Sequence, residues 1–127
     1  MLKNFETITY ELTEYEERFV VPLIIKGLAN YKGKHNAISG TAICKAINEK
    51  QLLRSYNLTT VRLRKIIGHM RVTGKLMYLC SSSKGYYVAK DTQEFDDCIE
   101  SLEQRVAQQQ LVIKSLTWQR NNYEKQR

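Results

Sequence analysis

Residues 59–72 read TTVRLRKIIGHMRV and carry the clearest helical pattern in the chain. The apolar residues recur at i, i+3, i+4 and i+7, which is the spacing of one face of an α-helix. They are Leu63, Ile66, Ile67 and Met70. Thr59 is a residue type that caps helix N-termini, so we expect the helix to begin directly after it. The opposite face and its flanks carry a largely polar and basic set: Thr60, Val61, Arg62, Arg64, Lys65, Gly68, His69 and Arg71.

A β-hairpin is predicted after this helix, because the apolar period changes there from 3.6 to 2. The β-rich runs LMYLC, residues 76–80, and GYYVA, residues 85–89, are separated by Ser81-Ser82-Ser83-Lys84. Gly85 is available for a positive φ in the turn. Since successive strand residues point to opposite faces, one of Tyr86 and Tyr87 should pack inward; the outward ring either packs across the strands or touches a ligand.

Two helices are predicted upstream of residue 59. Thr13 and Glu16 form a capping box that opens the first, which should run to about Tyr31 and kink or restart at Pro22. Ser39 caps the second, which fades near residue 53. The connection to the next helix is only a few residues long. Two short helices joined in this way form a helix-turn-helix, and a hairpin added after the second helix makes the motif winged.

Basic residues are concentrated in the middle of the chain. Residues 18–90 hold fourteen Lys and Arg and one acid, whereas residues 1–17 hold one base and five acids, and residues 91–127 five bases and seven acids. The central segment cannot neutralise itself, so it should attract a polyanion, and nucleic acid is the first candidate. The alternative is a basic surface that only keeps the protein in solution.

The segment VRLRKIIGHMRVTGK, residues 61–75, followed by a Ser-rich turn and KGYYVA, residues 84–89, resembles winged helix-turn-helix domains of the biotin-repressor type. It is similar, more closely still, to small winged-helix proteins of phages and prophages, in which a Ser-Lys-Gly-Tyr element turns the wing and a long helix follows. The resemblance covers roughly residues 36–103. It implies that DNA is contacted in the groove and at the wing tip, by Thr60, Val61, Arg64, Lys65 and Lys84.

Gly68 departs from that family pattern, in which a polar side chain is more usual. A glycine in mid-helix costs about 1 kcal/mol relative to alanine, so we expect something to approach closely there, either a DNA backbone or a neighbouring element of the domain. Together with Thr59 and the flanking residues Arg62, His69 and Arg71, it completes the predicted DNA-binding set.

A final helix, capped by Asp91 or Thr92, should run to about Tyr123 and is too long for a small domain to cover. Its heptad a and d positions predict a parallel two-stranded coiled coil and hence a homodimer that reads a roughly palindromic site. The predicted dimerisation residues are Phe95, Ile99, Leu102, Val106, Gln109, Ile113 and Leu116. In the alternative, the first of these pack on the domain and the rest of the helix frays.

The sequence contains little that would indicate an enzyme, a metal site or a membrane protein. It has no phosphate-binding glycine loop and no nucleophile elbow, and His35 and His69 are isolated and expected to be exposed or to face DNA. We therefore predict no enzyme, no metal site, no cofactor and no small-molecule ligand. Cys44, Cys80 and Cys98 contain no C-x-x-C pair and read as buried thiols of a reducing cytoplasm. No apolar run approaches the roughly 18 residues of a membrane span.

The predicted fold is mainly α with a small β-hairpin wing (α+β). Residues 1–12 form an N-terminal arm or short strand, residues 13–90 a winged helix-turn-helix domain, and residues 91–127 a long C-terminal helix that pairs as a coiled coil. The predicted function is sequence-directed binding of double-stranded DNA by a bacterial, phage or prophage regulator of transcription or replication, acting as a dimer in the cytoplasm. Two alternatives stay open: a protein-interaction or assembly module, and an RNA-binding protein.

Overall fold

The computed structural model describes residues 11–53 and 55–126, so most of the predicted N-terminal arm, residues 1–10, lies outside the described residues. The described chain is mainly helical, with one two-stranded antiparallel sheet and a long C-terminal helix, as the sequence predicts. In chain order the elements are a π-helical segment (Glu16–Val20), α1 (Val21–Leu28), a 3₁₀ turn (Lys34–Asn36), α2 (Gly40–Glu49), α3 (Thr60–Thr73), β1 (Leu79–Ser82), β2 (Gly85–Val88), α4 (Thr92–Asn122) and a terminal 3₁₀ turn (Glu124–Gln126).

The predicted capping box opens the first helical stretch. The Thr13 backbone N–H donates to Glu16 Oε1 at 2.9 Å, and the Glu16 N–H donates to Thr13 Oγ1 at 3.1 Å. Pro22 is the second residue of α1, directly after the π-helical segment. Because proline has no N–H and its ring crowds the preceding turn, the wider π turn accommodates it. The chain stays helical from residue 14 to residue 28, so the helix does not restart at Pro22 and its irregularity is the π turn before it.

Hydroxyl caps fix the starts of α2 and α3, as the sequence predicts. Ser39 Oγ and Thr59 Oγ1 each accept the backbone N–H three residues further on, at 3.1 Å. The connection between the two helices is held by Asn48, whose side-chain amide bonds both the N–H and the carbonyl of Leu58, each at 2.9 Å. Leu58 itself is buried, so both its side-chain packing and its hydrogen bonds to Asn48 fix the short connection.

The hairpin forms, but its first strand lies later than predicted. β1 and β2 pair antiparallel around a two-residue turn at residues 83–84. The first strand, expected at residues 76–80, begins only at Leu79 and runs on to Ser82, because Tyr78 has a φ of +67°, which interrupts an extended path just before β1. Gly85 has the predicted positive φ, at +135°.

A third backbone segment lies against β2. Ile38 exchanges two backbone hydrogen bonds with Tyr86, at 2.9 and 2.8 Å, and the Tyr31 carbonyl accepts the Val88 N–H at 2.8 Å. This pairing draws the chain away from the helix axis, so α1 ends at Leu28 and the predicted end at Tyr31 is wrong. The pairing also fixes the hairpin against the residues that precede α2.

The main core forms around α3, whose predicted apolar face is at most 1% exposed. A second, smaller cluster links the hairpin to α4 and consists of Cys80, Tyr87, Ala89 and Cys98, with Phe95 packed beside it. Tyr87 is fully buried and Tyr86 half-buried, which confirms that the two rings point to opposite faces. Cys44, Cys80 and Cys98 are free and buried, also as predicted.

The long helix α4 leaves the domain after its second turn. Asp91 caps it by accepting the Glu94 N–H at 2.9 Å, and the 31 residues that follow span about 45 Å at 1.5 Å per residue. Cys98 is its last buried residue, and from Ile99 onward its apolar side chains are exposed. Within residues 11–53 and 55–126, no helix combines the length and the apolar character that crossing a membrane requires.

Candidate nucleic-acid interface

The N-terminal half of α3 presents an exposed face opposite its buried one. Thr60, Val61, Arg64 and Lys65 are all exposed, Val61 by 59%, while Leu63 between them is fully buried. Because the cap at Thr59 fixes where the helix begins, these four side chains share one side of the first two turns. This is the arrangement that the sequence predicts for them.

A cleft of about 310 Å³, the α3 cleft, separates this face from the hairpin. It brings Thr60 and Arg64 of α3 together with Lys84 of the hairpin turn, residues that are far apart in the chain. None of its described lining residues is acidic. They are Ser39, Gly40, Thr41, Thr60, Arg64, Ser82, Ser83, Lys84, Gly85 and Tyr86.

Both α2 and α3 begin at the α3 cleft, with Gly40 and Thr60 as their first residues. The first N–H groups of a helix have no partner within it, and the helix dipole adds partial positive charge at that end. With the Arg64 and Lys84 charges, the cleft therefore combines three kinds of group that favour a phosphate: two cations, hydroxyl donors and two helix N-termini.

Gly85 allows the close packing that shapes this cleft, whereas Gly40 would tolerate a side-chain Cβ. At Gly85 an added Cβ would overlap the backbone of Ile38, so only glycine lets the hairpin approach the start of α2 so closely. At Gly40 an added Cβ would lie 3.5 Å from Leu63 and 3.6 Å from Tyr86, in ordinary contact with both. The hairpin, α2 and α3 thus meet at one point below the cleft.

A second cleft of about 400 Å³, the hairpin cleft, lies beside the first and shares residues 82–84 with it. Its lining also includes Lys90, His35 and Lys34, whose Nζ lies 3.6 Å from Asp97 Oδ2. His35 is exposed, as the sequence predicts, whereas Lys34 and Lys90 were not predicted to belong to a site, because they lie far apart in the chain. The pairing of residues 32 and 88, seen only in the fold, brings Lys34 and Lys90 together.

Glu94 is the acid that lines the hairpin cleft, but its carboxylate is already engaged. It accepts the backbone N–H of Lys34 at 2.8 Å and that of Lys90 at 3.0 Å. These hydrogen bonds, that of Lys34 first, lower the pKa of Glu94. Glu94 therefore acts as a clamp between two backbone segments, and the Lys84 and Lys90 side chains supply the positive charge of this cleft.

Arg62 faces away from the predicted interface. Its Nε and Nη2 each donate to one carboxylate oxygen of Glu16 at 2.5 Å, and Tyr56 Oη donates to Glu16 Oε2 at 2.6 Å. Glu16 is 1% exposed, and the Arg62 hydrogen bonds are the main reason why its pKa is lowered to about 2. The first helical stretch crosses the start of α3 here, so the Arg62 charge is compensated internally and we leave Arg62 out of the interface.

His69 and Arg71 also lie within the fold. His69 is 8% exposed, with Nε2 3.8 Å from a Glu17 carboxylate oxygen, so the expectation that it is exposed is wrong. The Arg71 Nε donates to the Leu79 carbonyl at 3.1 Å and holds the start of β1. Both residues belong to the flanks of α3 that pack on other elements. Gly68 is half-buried.

The predicted dimerisation residues do not share one environment. Phe95 is half-buried and packs edge-on against Tyr78, with 5.7 Å between ring centroids. The others lie on the exposed part of α4: Ile99, Leu102, Val106, Gln109, Ile113 and Leu116. The domain therefore partly covers Phe95 and leaves the other six predicted dimerisation residues exposed to solvent.

Nothing in the described part of the chain groups three or more His, Cys, Asp or Glu side chains in a way that could hold a metal ion.

The geometry of the two clefts is the basis for assigning a function, because comparison of the chain with protein-family models, curated proteins and solved structures gives no match.

Proposed function

We propose that this protein binds double-stranded DNA through a winged helix-turn-helix, with α3 as the recognition helix and the β1–β2 hairpin as the wing. The observation that carries the proposal is the α3 cleft, where Thr60 and Arg64 of α3 lie together with Lys84 of the hairpin. The order of α2, a short connection, α3 and a hairpin supports the same assignment.

The exposed face of α3 suits the major groove, which admits an α-helix. Arg64 offers the fork of donors that binds guanine or phosphate at two points, and Lys65 offers a point charge for phosphate. Val61 is apolar and 59% exposed, which suits contact with a thymine methyl group. Arg64 and Val61 are thus the residues that we expect to read base edges.

The wing contributes phosphate contacts in this proposal. Lys84 lies at the hairpin turn between the two clefts, and Lys90 continues the basic surface on the far side. Phosphate contacts position a protein on the duplex without reading its sequence. Loss of Lys84 should therefore weaken binding to all duplexes, whereas loss of Arg64 should also alter the preference among them.

Regulators of transcription or replication bind double-stranded DNA, and we propose such a role for this protein in a bacterium, phage or prophage. In this proposal α3 supplies the sequence-directed part of DNA binding, and the basic surface supplies the general affinity for DNA. An RNA-binding protein would use the same cations on a different polymer, so the choice of polymer is the first thing to test.

The test is a gel-shift titration of the full chain with labelled duplex DNA, single-stranded DNA and a structured RNA at several salt concentrations. We expect duplex to bind best and affinity to fall with salt. In the variant Arg64→Ala/Lys65→Ala the slope of log affinity against log salt should fall by about 1, since one phosphate contact, that of Lys65, contributes about 0.9, and the loss of Arg64 should weaken the preference among duplex sequences.

Lys114→Ala is the matched control, because it removes the same kind of charge from α4, outside both clefts. It should leave affinity unchanged. A preference for RNA, or an Arg64→Ala/Lys65→Ala variant that binds duplex like the unaltered protein, would overturn the proposal.

A further inference from the structure

The exposed part of α4 carries an apolar seam that nothing in the single chain covers. Ile99, Val106, Ile113 and Leu116 are between 52% and 62% exposed, and they follow one another at heptad spacing. Exposed apolar patches of this extent on a helix mark an interaction surface. The charges of the same helix indicate which partner covers this seam.

The charges of α4 are separated by sign along its length. Residues 92–104 contain acids and no Lys or Arg, whereas residues 105–123 contain Lys and Arg and no acid. Of the acids of the first half, Glu94 and Asp97 are engaged within the chain, Asp97 by an ion pair with Lys34 at 3.6 Å. The other acids are Asp96, Glu100 and Glu103, and the bases of the second half are Arg105, Lys114 and Arg120. The two ends of the exposed part of α4 therefore differ in charge, with acids near Glu103 and a base at Arg120.

We infer that two copies of this chain pair along α4 in antiparallel orientation, centred near Leu111, and not in the parallel orientation that the heptads alone suggest. A parallel pair would place acidic half against acidic half and Arg120 directly against the partner's Arg120. An antiparallel pair centred near Leu111 places Arg120 near Glu100 and Glu103 of the partner, and it separates Arg120 from the partner's Arg120 by about 27 Å at 1.5 Å per residue.

The antiparallel register also fits the seam. With Leu111 level with its own copy, Ile99 faces Tyr123, Val106 faces Leu116, and Gln109 faces Ile113. Each of these layers joins a position that a heptad assignment labels a with one that it labels d. Gln109 then meets an apolar residue and not a second Gln109.

Arg120, which follows Ile113 at heptad spacing, also gains a partner in this register. It lies level with Leu102 of the other copy, beside Glu103. The aliphatic stem of Arg120 can cover the leucine while its guanidinium reaches the carboxylate, the usual arrangement of a long cationic side chain at the edge of an apolar surface.

The base of α4 offers a further apolar surface to the partner. A cleft of about 560 Å³ lies there, lined in part by Met77, Tyr78 and Phe95, and the first two side chains are 58% and 56% exposed. Phe95 lies one turn before Ile99 on the same seam. The antiparallel register brings the partner's Tyr123 level with Ile99, so the end of the partner's helix lies next to this cleft.

This pairing goes beyond the proposed function, because it makes no use of DNA. It predicts a twofold axis that crosses α4 near Leu111 and a DNA-binding domain at each end of the coil. The paired stretch from Ile99 to Tyr123 spans about 36 Å at 1.5 Å per residue. Two half-sites read by one dimer would then lie further apart than in a parallel pair, whose domains are at the same end.

The test is disulfide trapping between two full-length variants, Ile99→Cys and a size-tagged Tyr123→Cys, which are mixed and mildly oxidised without DNA. Both positions are exposed in the single chain, so the substitutions leave the fold of the domain intact. Antiparallel pairing should give mainly the mixed disulfide, of intermediate size. The unaltered protein, with its three buried cysteines, gives the background.

Self-linked Ile99→Cys and self-linked Tyr123→Cys in place of the mixed product would establish parallel pairing and overturn the inference. So would sedimentation of the unaltered protein as a monomer at tens of micromolar. Neither outcome touches the gel-shift result with Arg64→Ala/Lys65→Ala, so failure of the pairing and failure of the DNA proposal are distinguishable.

Discussion

Arg62 and Glu16 form a two-point ion pair across 46 residues of sequence, with the guanidinium Nε and Nη2 each 2.5 Å from a carboxylate oxygen. The pair joins the first helical stretch to the N-terminal turn of α3. Since Thr60 and Arg64 lie on that same turn and the next, the pair determines how the proposed recognition face is held on the domain. Its strength can be measured directly.

Arg62→Ala should lower the free energy of unfolding by about 3 kcal/mol, because it leaves a buried carboxylate without its cation. The measurement is urea denaturation followed by circular dichroism. Arg18→Ala is the control, since it breaks an ion pair with Glu14 in which both side chains are largely exposed, and its effect should stay within about 0.5 kcal/mol. Equal effects of the two substitutions would contradict the role given to Arg62.

The same pair should make stability depend on acid. The pKa of Glu16 is lowered from an ordinary 4.5 to about 2, chiefly by the Arg62 hydrogen bonds. A carboxyl whose pKa is lower in the folded state stabilises the fold above its unfolded value, and that contribution is lost as the pH falls from about 4.5 towards 2. Urea denaturation at pH 5, 4 and 3 should give progressively smaller free energies of unfolding.

Glu16→Gln separates this contribution from those of other carboxyls. It should be less stable than the unaltered protein at pH 5, and its stability should fall less steeply towards pH 3. Glu14→Gln, which alters an exposed carboxyl, should keep the original slope. A Glu16→Gln profile parallel to that of the unaltered protein would place the acid sensitivity elsewhere, for instance at Glu94, whose pKa is also lowered.

Gly85→Ala should disturb the hairpin and the α3 cleft together. The residue has a φ of +135°, and an added Cβ would overlap the backbone of Ile38. We expect a loss of at least about 2 kcal/mol of stability and weaker duplex binding, because the turn that carries Lys84 must move. Thermal unfolding and gel shift measure the two effects.

Gly27→Ala is the matched control for that substitution. Nothing lies within 4 Å of a Cβ at this position, which is inside α1, so alanine should be neutral or stabilise by up to about 1 kcal/mol. Gly85→Ala protein that unfolds and binds duplex like the Gly27→Ala protein would show that the close approach to Ile38 is dispensable.

What the sequence could predict was determined by local spacing. The apolar face of α3 and the caps Ser39, Thr59 and Asp91 depend on residues within one or two turns, and all of them are found as expected. The buried position of Glu16 was not predictable in this way, because it depends on where the first helix crosses α3. A local pattern could not reveal that Arg62 faces inward.

The same limit explains the hairpin cleft and the strand shift. Lys34 and Lys90 become neighbours only because the segment before α2 pairs with β2, a contact between residues far apart in the chain. β1 starts at Leu79 because Tyr78 adopts a left-handed conformation, which its residue type does not suggest. The exposed cations of α3, by contrast, follow from the helical period alone.

The charge separation along α4 leads to a prediction that distinguishes the two orientations of the dimer. In the antiparallel pair Arg120 lies beside the partner's Glu103, so Arg120→Glu replaces an attraction by a repulsion at two equivalent places. A lost attraction and a new repulsion of about 0.5 kcal/mol each, at two places, sum to about 2 kcal/mol, so the dimer dissociation constant in sedimentation equilibrium should rise about thirtyfold. The double variant Glu103→Arg/Arg120→Glu restores opposite charges and should recover most of the lost affinity.

In a parallel pair, position 120 faces itself, so Arg120→Glu exchanges one like-charge pair for another and the double variant restores nothing. Lys114→Glu is the control, since its level on the partner carries no acid, and it should change the dissociation constant far less than Arg120→Glu does.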